Sequence, residues 1–205
     1  MATIRALDGF FTRDSTCSAD AASQEPPRLF KKFALAADGS WAELEHKVAD
    51  TVAQGRDVKV VYFVRHAEGT HNAAEREYGT KRWEEEFAKS DAYLDADLTP
   101  FGINDARSKG PSALAAERAK GMPTIQRVVV STLSRAIQTA EIFFAEYPLP
   151  SPTFVSMELC REILGVETCD KRFIRMLYDM LRPGETDVYP NNCETIPLVL
   201  ERVAA

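Results

Sequence analysis

The sequence predicts an α/β fold with a mostly parallel sheet, and three features predict it. Six of the seven residues from Val58 to Val64 are β-branched or aromatic, with only Lys59 charged, which reads as a strand covered on both faces. Residues 125–130 repeat that character, and Thr153 to Leu159 gives a third, weaker strand. Helical patterns separate the three, and strand-helix-strand alternation implies parallel pairing through right-handed crossovers.

The elements follow in order. Residues 1–38 mix Ser, Asp, Ala and Pro around Pro26-Pro27 and read as an extended arm. Ser40-Trp41-Ala42-Glu43 reads as a capping box opening a helix, whose apolar stripe of Trp41, Leu44, Val48 and Val52 ends near Gly55. After the first strand, residues 73–95 are dense in charge and read as helix with loops. Thr99 before Pro100 marks another helix start, which Gly110-Pro111 interrupts before a further alanine-rich stretch to Gly121. Residues 131–147 read as the helix between the second and third strands.

Arg65 and His66 stand at the end of the first strand, followed by the small, polar Ala-Glu-Gly-Thr-His-Asn. In parallel sheets ligands bind beyond the carboxyl ends of strands, and a loop there can turn backbone N–H groups towards an anion. An arginine-histidine pair in that place can hold a phosphate and attack it. His66, Arg135 and Glu162 each follow a different predicted strand, so one fold rule gathers them on one edge of the sheet.

The motif Arg65-His66-x-Glu68-x-Thr70-x-Asn72 resembles the signature of the histidine phosphatase superfamily, also called phosphoglycerate mutase-like. Further motifs fall in the order seen in a fungal and plant branch of uncharacterised mutase-like proteins: Tyr78-Gly79-Thr80, Asp97-Leu98-Thr99-Pro100-Phe101-Gly102, Ser131-Thr132-Leu133-Ser134-Arg135-Ala136-x-x-Thr139-Ala140, and Leu159-Cys160-Arg161-Glu162-x-x-Gly165-Val166-x-x-Cys169-Asp170-Lys171-Arg172. The resemblance covers roughly residues 58–172. It implies a three-layer αβα fold around a mostly parallel central sheet, incomplete at the C-terminal end. With the arm read from composition, three parts are expected: an arm at 1–38, a phosphatase-like domain at 39–172 and a divergent tail at 173–205.

Roles follow from the resemblance and from the chemistry of each side chain. His66 is expected to be the nucleophile, a neutral imidazole with one nitrogen facing phosphorus and the other N–H held by a backbone carbonyl. Arg65 and Arg135 offer planar forks for phosphate oxygens. Glu162 is the candidate proton donor to the leaving oxygen and then base for water, with Glu158 as the alternative. Asn72 and Thr70 are candidate donors to the phosphate, and His71 is a substrate contact or a helix cap. The expected substrate is a small phosphorylated molecule, and the reaction needs no cofactor and no metal: His66 and His71 are five apart rather than sharing a helical face, and Cys160 and Cys169 lack a second pair.

Two departures from the family stand out. Ala67 occupies a position where the family usually has glycine. Active members present a second histidine well downstream, whereas the three histidines here are His46, His66 and His71. The alternative to a phosphohistidine enzyme is therefore an impaired relative that binds a phosphate ligand or a protein through the same fold. Composition sets the remaining bounds. A net charge of −6 without a basic cluster argues against nucleic acid. No run of residues suggests a membrane span or a signal peptide, and four cysteines without a CxxC pair suggest reduced thiols in the cytoplasm.

Overall fold

Helix α1 (Trp41–Ala53) starts where its cap requires: Glu43 N–H donates to the Ser40 hydroxyl at 3.2 Å, and Ser40 N–H donates to the Glu43 carboxylate at 2.7 Å. The computed structural model describes residues 3–11, 35, 39–149, 154–157, 160 and 195–203. Gly55, with φ +82°, turns the chain out of the helix. Trp41 and Leu44 are buried, but Val52 is 51% exposed and Thr51 is buried instead, its hydroxyl donating to the Lys47 carbonyl. The helix is wound so that the inward stripe passes through 51 rather than 52.

The chain divides into two compact units: residues 1–64, 115–123 and 174–205, and residues 65–114 and 124–173. The first holds an antiparallel sheet in the order β1-β5-β2, formed by β1 (Thr3–Leu7), β2 (Asp57–Val64) and β5 (Thr195–Val203). β5 pairs with β2 along the whole of β2, from Asp57↔Arg202 to Val64↔Thr195, and with β1 from Thr3↔Val203 to Leu7↔Val199. Pro197, which has no N–H, is opposite Tyr62 of β2 and lies beyond the last β1 partner, so that among the described residues β5 is paired on one side only there. Buried Glu201 receives Arg5 and Arg56, each at 2.7 Å, and these bonds hold its carboxyl well below the usual range. Buried Trp41 donates through Nε1 to the buried Glu117 carboxylate at 2.9 Å, which satisfies both polar groups away from water.

The second unit carries the parallel pairing expected of the fold class: β3 (Val128–Val130) runs parallel to β4 (Phe154–Ser156). Its helices are α2 (Thr70–Tyr78), the short α3 (Thr80–Arg82) running into a π-turn at Trp83–Phe87, a 3₁₀ turn at Asp91–Tyr93, most of α4 (Pro100–Ala119) and α5 (Ser134–Phe143). The fold is therefore α/β, with its parallel strands here and its longest ladder antiparallel. Fully buried Trp83 packs with Ala74, Ala88, Phe87 and Tyr93, the Tyr93 ring edge-on at 4.8 Å.

Thr99 caps α4 with Pro100 at the first helical position, and the Gly102 N–H donates to the Thr99 hydroxyl at 2.9 Å. The interruption read at Gly110-Pro111 is absent, since α4 runs through both residues. An interior proline costs a helix about 3 kcal/mol, offset here by packing: Ala106 and Leu114 are buried, and Gly110 lies against the Phe143 ring, where no side chain would fit. Helix α5 is shorter than the reading of 131–147 at both ends: Leu133 stays extended as its cap, and the helical conformation ends before Phe144. No described helix is long and apolar enough to cross a membrane.

Candidate active site

The loop from Arg65 to Gly69 leaves β2 and is gripped from two directions. From α5, the buried Thr139 hydroxyl donates to the Arg135 carbonyl at 2.7 Å and accepts the Ala67 N–H at 2.9 Å. From the segment before α4, Thr99 N–H donates to the Glu68 carbonyl at 2.9 Å, and the Thr99 hydroxyl donates to the Glu68 carboxylate at 2.8 Å. Thr70 N–H donates to the Asp97 carbonyl at 2.9 Å, beside the bridge between Gly69 and Leu98. These two grips are themselves joined. Asp95 accepts both the backbone N–H and the hydroxyl of Ser134, at 2.8 and 2.7 Å. The Gln138 side chain donates to Asp97 and accepts the Leu98 N–H, each at 2.9 Å. Asp95 adopts a positive φ of 49° to reach the start of α5, a conformation that aspartate tolerates better than most residues.

Within this frame His66 has a partner at each ring nitrogen. Nε2 receives Arg135 Nε–H at 3.1 Å, and Nδ1 lies 2.6 Å from the Ala67 carbonyl oxygen. A guanidinium only donates and a carbonyl only accepts, so the partners assign the tautomer: Nδ1 carries the proton and Nε2 presents its lone pair. Burial, and then the charge of Arg135, push the imidazole from its ordinary 6.5 down to about 3, with Arg65 adding to the effect and the Ala67 bond opposing it. The ring is thus neutral at physiological pH, with its basic nitrogen turned to a cation.

Arg135, only 1% exposed, occupies the second position of α5, where the helix dipole and free N–H groups also favour an anion. Arg65 is half-buried beside His66 in the chain. Glu68 is buried and bonded to Arg76 as well as Thr99; the Arg76 bond holds its carboxyl below the usual range against the opposing effect of burial. It therefore stays ionised and serves as a strut. Gly102 is required at this crossing, because a Cβ there would overlap the Glu68 carbonyl.

The remaining predicted residues are distributed as follows. Thr70 is exposed at the first position of α2. Asn72 is half-buried and accepts the Gly69 N–H through Oδ1 at 3.0 Å, which leaves its NH₂ as the donating end. His71 is buried, its ring 5.6 Å from that of His66 and packed over Gly69. Glu162 and its rival Glu158 lie outside the described residues. Among the described residues there is no cluster of His, Cys, Asp and Glu suited to a metal ion, and Cys160 is free, its thiol pushed up by burial. Sequence reasoning gave no role to Thr139, Gln138 or Asp95. One signal was available: Thr139 stands four residues after Arg135, hence on the same helical face.

Residues 61–163 match the family model described as "Histidine phosphatase superfamily (branch 1)". The chain belongs to that superfamily, whose members are enzymes. It is similar to a "Probable phosphoglycerate mutase" of Arthroderma benhamiae, 34% identical over 154 residues covering 70% of this chain and 46% of that protein. The "Probable phosphoglycerate mutase PMU1" of Saccharomyces cerevisiae is 31% identical over 65% of this chain and 49% of its own length. A "Phosphoglycerate mutase-like protein" of Arabidopsis thaliana is 31% identical over 62% of this chain and 52% of its own. The chain thus spans about half the length of the curated relatives it matches.

Proposed function

We propose that this chain takes a phosphoryl group from a small phosphomonoester onto His66. The observation that carries this reading is the state of the His66 ring: neutral, proton fixed on Nδ1 by the Ala67 carbonyl, and Nε2 facing the Arg135 guanidinium. Nε2 attacks phosphorus, its lone pair forming the N–P bond as the ester P–O bond breaks. Glu162, or Glu158, gives its proton to the departing oxygen, then takes one from the water or hydroxyl that removes the phosphoryl group. Arg135 and Arg65 hold the phosphoryl oxygens, where charge accumulates in the transition state. The Thr70 hydroxyl and the Asn72 NH₂ donate to the same oxygens.

The names of the relatives support a phosphorylated metabolite of glycerate size as one substrate class, and we place the reaction in the cytoplasm. Hydrolysis and transfer share the phosphohistidine, so both follow from one intermediate. The test is rapid quench with a generic labelled phosphomonoester, comparing the chain with His66→Ala. His66-dependent, acid-labile label supports the reading. Absence of label in folded protein overturns it and leaves a module that binds phosphate without turnover.

A further inference from the structure

We propose that Thr139 is a positioning residue for His66, fixing its tautomer through the Ala67 peptide. This deepens the reading above and rests on His66 as the nucleophile. The Thr139 hydroxyl has one proton, and it goes to the Arg135 carbonyl at 2.7 Å, an oxygen that accepts only. Its lone pairs are therefore left for Ala67 N–H, which arrives at 2.9 Å. Ala67 has no exposed surface and Thr139 is 3% exposed, so no water can replace either partner. Held at its N–H, Ala67 presents its carbonyl to His66 Nδ1 at 2.6 Å. Release of Ala67 frees the carbonyl to swing away, and the proton on Nδ1 loses the acceptor that keeps it there.

The competing tautomer places the proton on Nε2, against the Arg135 N–H. That form leaves no lone pair on Nε2 for phosphorus. One helical face thus controls both ends of the ring: Arg135 meets Nε2 directly, and Thr139, one turn later, meets Nδ1 through a single residue. Support around metal-bound histidines follows the same logic, where a carbonyl or carboxylate on the second nitrogen sets which nitrogen is free. The methyl side chain of Ala67 does not take part, so the effect belongs to the backbone and to the Thr139 hydroxyl alone.

Thr139→Val keeps the shape and removes the hydroxyl, whereas Thr139→Ser keeps the hydroxyl. The full chain labelled with ¹⁵N-histidine reports the His66 tautomer at pH 7 through long-range proton–nitrogen correlations, with His66→Ala assigning the signals. The wild type and Thr139→Ser are expected to show the Nδ1–H form alone, and Thr139→Val a mixture of both tautomers. Transfer to His66 from the labelled ester should fall on the order of a hundredfold in Thr139→Val, the scale set by loss of reacting geometry, and recover in Thr139→Ser. A folded Thr139→Val with the Nδ1–H form intact overturns the proposal. Should the valine variant not fold, Thr139→Ala gives the same two readings. The tautomer is read without substrate, so failure of the wild type to take up label counts against phosphoryl transfer and leaves the tautomer comparison to decide the role of Thr139.

Discussion

Arg135 and Thr139, four residues apart on α5, grip opposite sides of one imidazole: the first donates to His66 Nε2 at 3.1 Å, the second accepts the N–H of the residue whose carbonyl meets Nδ1. The buried cation and the buried hydroxyl stand one helical turn apart on the same face of α5. A helix start that favours anions thereby also selects the protonation state of the side chain facing it.

His66 should not titrate in the usual histidine range. With its folded value lowered to about 3 from 6.5, the unfolded chain takes up a proton at a higher pH than the native one does. The stability linked to this ring is therefore complete above pH 6.5 and lost as pH falls from there towards 3. NMR should show the His66 ring signals unchanged between about pH 8 and 5. A midpoint near 6.5 would contradict the burial and charge described here.

Replacing Arg135 by Ala should slow phosphoryl capture by about 10²- to 10³-fold, the range for loss of one preorganised donor. The His66 value should rise at the same time, because the second-largest cause of its depression is gone. Arg135→Lys should recover little, since an ammonium cannot form the same fork. Quench kinetics and an NMR titration on the same variants check both effects.

Gly102→Ala reverses the sign expected from helix propensity. In an open helix the change stabilises by about 1 kcal/mol, but here the added methyl meets the Glu68 backbone at the Thr99 crossing. A loss of about 1–3 kcal/mol is expected, as for overpacking. Urea unfolding measures it, and amide shifts confined to residues 67–71 and 99–103 would locate the cause.

Arg76→Ala should raise the Glu68 value and lower stability at neutral pH, modestly because the Arg76 side chain is 66% exposed. The folded carboxyl is held below 4.5, so this stability is full above pH 4.5 and disappears as the native carboxylate protonates. Unfolding free energies of wild type and variant should differ at pH 7 and converge in acid. A constant gap would assign the loss to packing.

What the sequence revealed was local. The Ser40–Glu43 box and the Thr99-Pro100 start depend on neighbours a few residues away, and both stand as read. The contacts that complete the site join distant residues. Ala67 to Thr139, Glu68 to Thr99 and Asp95 to Ser134 span 72, 31 and 39 positions, and no periodicity encodes them. β5 was missed for the same reason: its partners, β1 and β2, lie far away in the chain. Pro111 misled in the opposite sense, because propensity is local and the packing around Gly110 is not.

The most direct test of the central claim is to locate the phosphoryl group after mixing the full chain with excess phosphomonoester and quenching in base, which preserves a phosphoramidate. Peptide mass spectrometry and ³¹P NMR should place it on His66 Nε2, with none in His66→Ala. A folded, substrate-saturated chain that carries no phosphoryl group, or carries it on any other residue, would contradict the mechanism.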